Sequence, residues 1–130
     1  MCMAQSYVDQ LNKLNRSVTA TYEGLNRMQS MVDKELSEVY HEIEAATLDL
    51  YREHQLMQRL QDVLKRRRVV KDEFVRIQAV KLALDSSVNK LNQRYLSLAE
   101  KSDEIRRSLN VTMTITDVVG EINIMEGLTI

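Results

Sequence analysis

Proline and tryptophan are absent from this sequence, and glycine occurs only at positions 24, 120 and 127. Between Gly24 and Gly120 neither strong helix breaker appears, which argues for an all-α body. A single cysteine, Cys2, excludes an internal disulfide and a zinc site built on several thiolates; it fits a reducing compartment. Charge of one sign is also missing. A net charge of −1 gives no global field favouring nucleic acid or a membrane surface. No apolar run approaches the roughly 18 residues that a spanning helix needs. The first residues lack the basic region and apolar core of a secretory signal. The expectation is a cytoplasmic protein with no membrane partner, and at 130 residues one domain is the default.

Within this plain composition, apolar residues recur every three, then four, positions. They run Val8, Leu11, Val18, Tyr22, Leu25, Val32, Leu36, Val39, Ile43, Ala46, Leu50, Met57, Leu60, Leu64. That is a heptad seam, the mark of a helix laid against another helix. Ser6, with Asp9 three residues on, reads as the N-cap of this helix. Asn15, Gln29 and Glu53 are polar seam positions, where a buried amide can fix register or oligomer number. Gly24 falls off the seam.

A second seam runs through Val70, Phe74, Ile77, Leu84, Val88, Leu91, Tyr95, Leu98, Ile105 and Leu109, with Lys81 and Ser102 filling the remaining places. Its heptad phase differs from the first. A phase shift means either a stutter in one long helix or a turn between two. The favoured break is Ala45 to Asp49, where Thr47 or Asp49 can cap a new helix; Asp85-Ser86-Ser87 is the other candidate. Charge supports a hairpin. Residues 33–53 hold seven acidic and two basic side chains, and residues 59–76 hold seven basic and three acidic. Blocks of opposite sign can lie side by side, within a hairpin or between chains.

After Leu109 the texture changes. Val111 to Thr116 alternates apolar and polar, with β-branched residues at five of six places. Glu121 to Met125 alternates again. The expectation is a short β-like extension over 110–130, a small hairpin after a helical body over 6–109. The fold class expected is therefore all-α, with long heptad-patterned helices forming a coiled coil or helical bundle and a short β-like C-terminal segment. Because the seams exceed what one chain can cover, a homo-oligomer is expected.

The clearest chemical feature is Lys65-Arg66-Arg67-Arg68, followed by Lys71. Either seam phase puts Arg67 on the seam, so its guanidinium must find a carboxylate or phosphate. As a site, this cluster would bind a small anion such as a nucleotide, because arginine forks match phosphate and carboxylate oxygens. As structure, it would pair with the acidic block. Nucleic acid is disfavoured, since no aromatics interleave the basic run. Glu38 and His41 have the E-x-x-H spacing of di-iron bundles, but such a site needs a second pair and two further glutamates. His54 follows Tyr51 rather than a carboxylate at that spacing. No nucleophile elbow, glycine-rich phosphate loop or catalytic triad is present. No cofactor or enzyme activity is expected. Met28, Met31 and Met57 lie on or beside the seam, where methionine fills a core or lines an adaptable groove.

Tyr40-His41-Glu42-Ile43-Glu44, then some twenty residues, then Arg66-Arg67-Arg68 with Lys71-Asp72-Glu73-Phe74 resembles small, largely uncharacterised helical proteins encoded by phages of Gram-positive bacteria. The resemblance covers about 35 residues of the 130. It implies a product working in the cytoplasm of an infected bacterium, and no activity. In those proteins a polar break, often with Asn, separates the two pieces; here the place holds Ala45-Ala46-Thr47-Leu48-Asp49. Three functions follow from the sequence. The first is a non-enzymatic protein-interaction module, a phage accessory protein that binds and inhibits a host or defence protein. The second is an oligomeric binder of a small anionic ligand. The third is a structural scaffold.

Overall fold

The computed structural model describes residues 2–47 and 49–122, the last two for their backbone alone. Helix α1 spans Met3–Ala45, α2 spans Leu50–Ser108, and α3 spans Ile115–Ile122. The described residues contain no strand. The body is all-α, and the two long helices pack together. The chain divides into two compact units, Asn15–Leu84 and Met1–Leu14 with Asp85–Ile130.

The unit Asn15–Leu84 is a helical hairpin. Its turn falls where the weak break at Ala45 to Asp49 predicts. Asp49 caps α2: its Oδ1 accepts the Arg52 amide at 2.7 Å, satisfying one of the orphan donors of the first turn. Val32, Val39, Val63 and Val70 form the core, with Leu36, Ile43 and Leu60 packed against them. Val39 and Val63 are fully buried, at 0% and 1% exposure. Valine is a modest helix former, but its stiff, short side chain lets two helices approach closely. Toward the open end Tyr22 and Phe74 stack with ring centroids 5.0 Å apart. The Lys81 ammonium lies 5.4 Å from the Tyr22 centroid, so a seam lysine finds a π face instead of an apolar void.

The first seam does not run to Leu64. Beyond the turn, Leu56, Leu60 and Val63 face α1, whereas Leu50 is 86% exposed and Met57 and Leu64 point outward. The phase resets at the turn itself, because residues 46, 47 and 49 lie outside the helices and α2 starts with its own rotation. The seam of α2 is therefore continuous from Leu56 through Val70 to Tyr95.

In the other unit, Val8, Val88 and Val119 are buried. The helix starts at Met3 rather than Ser6. Cys2 Sγ accepts the Gln5 amide at 3.4 Å and takes the capping place, which leaves Ser6 inside the first turns. Asn12 and Asn92 exchange two amide hydrogen bonds, Asn12 Nδ2 to Asn92 Oδ1 at 3.0 Å and the reverse at 2.9 Å. Cys2 Sγ lies 3.3 Å from the Tyr95 hydroxyl, so α1 begins at the level of Tyr95. Residues 100–109 of α2 are consequently exposed, Ile105 and Leu109 among them.

The C-terminal strand expectation is corrected. Helix α2 closes in a Schellman motif: Val111 N–H donates to Arg106 O at 2.9 Å, and Asn110 N–H donates to Arg107 O at 3.2 Å. Asn110 takes the left-handed conformation this requires, with φ 55°. Residues 111–114 have no regular structure, and Ile115–Ile122 is a helix. Thr114 and Asp117 make a reciprocal cap. Asp117 Oδ2 accepts from the Thr114 amide at 2.9 Å, and Thr114 Oγ1 accepts from the Asp117 amide at 3.4 Å. This cap outweighs the β preference of the flanking threonines and isoleucine. Residues 123–130, and with them Ile124, Met125 and Gly127, lie outside the described residues.

Candidate functional site

The basic run sits on α2 where it passes the acidic end of α1. Arg67 Nε donates to Asp33 Oδ1 at 2.8 Å, and Lys71 Nζ lies 3.8 Å from the same carboxylate. Arg66 reaches Glu35 at 2.7 Å and Asp62, one turn back on its own helix, at 3.0 Å. Nearer the turn, Arg59 bonds Glu42, and Arg52 lies 3.8 Å from Glu42. The two blocks of opposite charge thus meet within one hairpin. The Arg67 hydrogen bond holds the Asp33 carboxyl below its usual range, with smaller help from the charge of Lys71. The Arg59 hydrogen bond does the same for Glu42, and Glu35 in turn raises Arg66.

Of the five cluster residues, three are therefore engaged: Arg66, Arg67 and Lys71. Lys65 and Arg68 make no ion pair among the described residues. Arg67 keeps 38% of its side chain exposed, so the seam opens beside it and the burial penalty is avoided. The five side chains do not converge on one point, because successive residues on a helix turn by about 100°.

Beside the Arg66–Glu35 pair lies an open groove of about 430 Å³, lined by Met28, Met31, Val32, Glu35, Lys65, Arg66, Val69 and Val70. Its floor is the buried edge of Val32 and Val70. Its walls are Met31 and Val69, at 66% and 62% exposure. A smaller hollow of about 250 Å³ sits nearer the turn, lined by Ile43, Glu53, Leu56, Met57 and Leu60. The seam methionines Met28, Met31 and Met57 thus line hollows rather than fill the core. Val69 belongs to neither seam, and heptad periodicity alone gives it no role. Its signal is local, an apolar residue between cationic and acidic turns.

His41 lies 3.8 Å from Glu44, and Glu38 is not its partner. Among the described residues no group of three or more His, Cys, Asp and Glu side chains is gathered as a metal site. In the other unit, the hydroxyl of Tyr95 lowers the Cys2 thiol pKa, and the same contact pushes Tyr95 up to about 12. A hollow of about 420 Å³ there is lined by Cys2, Met3, Ser6 and four residues of α3.

No protein-family model matches the chain, and neither a curated protein nor a solved structure is found similar to it. No helix among the described residues is long and apolar enough to cross a membrane.

Proposed function

We propose that this chain is a non-enzymatic protein-interaction module, a phage accessory protein that binds and inhibits a host or defence protein. One observation carries the reading. Among the described residues nine hydrophobic side chains are buried, while twenty-two large ones stay exposed. Scattered exposed apolar residues are ordinary on a surface, but four of these, Met28, Met31, Val69 and Met57, line hollows along a hairpin with a single row of buried valines. Such a surface supports helix-in-groove recognition, in which an apolar stripe on a partner helix covers an apolar groove.

Arg66, Arg67 and Lys71 serve as clasps in this reading. An anion entering there would have to displace carboxylates already bound at 2.7 to 3.8 Å. That disfavours the nucleotide-binding alternative. The test is co-purification from host lysate with the wild-type chain and with Met57→Glu, which puts a charge in the hollow near the turn at an outward position. A stoichiometric second protein that the variant loses, with helix content unchanged, is the expected result. Absence of any second protein, together with nucleotide retention lost in Arg67→Ala, would overturn it in favour of the anion site.

A further inference from the structure

We infer that the Met28–Met31–Val69 groove is a self-recognition face, on which two copies of the hairpin pair about a twofold axis. The inference rests on the interaction-module reading and names one partner for it, a second copy of this chain.

The register of the hairpin places the parts. Glu35 pairs with Arg66 across the two helices. Four residues back on α1 and four onward on α2 bring Met31 level with Val70, one residue from Val69. Met31 and Val69 both stand on the groove side, largely exposed. A single axis perpendicular to both helices can therefore pass beside both residues. About such an axis each helix meets its own copy antiparallel, and a residue n places before the axis meets one n places after it.

The charges satisfy that operation on both helices. On α2, Lys65 and Asp72 stand at equal separations on either side of a point between Arg68 and Val69. Both are exposed, and neither has an ion-pair partner among the described residues. Antiparallel pairing about that point, beside Val69, brings Lys65 of one copy to Asp72 of the other, twice per dimer. On α1, Arg27 stands four residues before Met31 and Glu35 four after it. The same axis brings Arg27 to the outer side of the other copy's Glu35. An isologous contact needs a patch that is its own complement, and this patch is. Gly24 lies one helical turn beyond Met28 on the same side, and a Cβ there would meet only the end of the Arg27 side chain, at 3.8 Å. A second helix can approach closely at that point. The product is a four-helix arrangement with the apolar stripe of each helix widened from the hairpin seam to a second edge, as bundle helices require.

Sedimentation equilibrium tests this with the full chain. The wild type is expected as a dimer of twice 15.1 kDa at micromolar concentration. Val69→Glu, at an outward position that leaves the hairpin core intact, is expected to weaken the dimer by roughly a hundredfold with unchanged helix content. Lys65→Asp and Asp72→Lys are each expected to weaken it about tenfold. Mixed together, they are expected to form a heterodimer of wild-type strength, because each then supplies the charge the other lacks. A monomeric wild type would overturn the inference, as would a dimer indifferent to Val69→Glu or a mixture no stronger than its components. A monomer that still captures a second protein would sink this contact alone. A dimer obeying the swap but capturing nothing would sink the host-partner reading alone.

Discussion

Val39 and Val63 meet at the centre of the hairpin with almost no exposed surface, so each removed methyl group there costs transfer energy and leaves a void. Val39→Ala should lower the unfolding free energy by about 2 kcal/mol, and Leu50→Ala, at an outward position, by less than about 0.5 kcal/mol. Denaturant melts of the two variants check this. The Asn12–Asn92 pair belongs to the same scale. Each amide satisfies the other, so Asn12→Leu alone leaves a part-buried amide without its partner and should cost about 1–3 kcal/mol. The double variant with Asn92→Leu should recover most of that loss, since two apolar groups replace two matched polar ones. The sequence pointed to Asn15 and Gln29 as seam amides and passed over Asn12 and Asn92. Asn15 lies on the seam with its Oδ1 buried and unbonded among the described residues, while the mutual pair forms one place to the side. Seam arithmetic assigns columns, and it does not say which flank of a column meets a matching amide.

At the scale of elements, the α1–α2 hairpin was legible because its signals are periodic and its charges sort into two blocks. The turn was legible through Asp49, whose carboxylate does the capping expected of it. The reset of phase at the turn was not legible, since Leu64 and Val63 are equally apolar and only the rotation of α2 decides between them. Helix α3 was misread for a different reason. The alternation from Val111 to Thr116 is a genuine strand pattern, but Thr114-x-x-Asp117 is a capping box. A local hydrogen-bond pair outweighs β propensity where no neighbouring strand is present to reward it. An eight-residue helix is marginal alone. Thr114→Ala should therefore cost about 1 kcal/mol of local stability, read as faster amide exchange in Val118 and Val119 with α1 and α2 unaffected.

The ion-pair clasps also act at this scale. The pKa of Asp33 is held below its ordinary 3.8 and that of Glu42 below its ordinary 4.5. A carboxylate so depressed binds its proton less readily in the folded chain than in the unfolded one. It stabilises the fold at pH above the unfolded value, and that stabilisation is lost as pH falls through the lower folded value. Thermal unfolding should be flat above about pH 5 and should weaken progressively below about pH 4. Asp33→Asn should flatten part of that fall. A melting temperature that rises on acidification would contradict the assignment. The basic run itself was legible as a cluster. Its division into engaged Arg66, Arg67 and Lys71 and unpaired Lys65 and Arg68 was not, because that depends on which acidic residue stands opposite each cation.

For the whole molecule, the decisive quantity is how little apolar surface the chain covers by itself. Nine buried hydrophobic residues among the described residues are a thin core. The near-zero net charge removes the long-range repulsion that would keep copies apart. Binding to the folded state raises apparent stability by mass action, so the melting temperature should increase with protein concentration. The measurement that most directly tests the central claim, that this hairpin works by covering its exposed faces with protein, is a native mass spectrum of the chain purified from cells. The account predicts no bare chain. It expects twice the 15.1 kDa chain mass, alone or with the added mass of a second protein. A bare 15.1 kDa monomer at micromolar concentration, with neither copy nor partner retained, would contradict it.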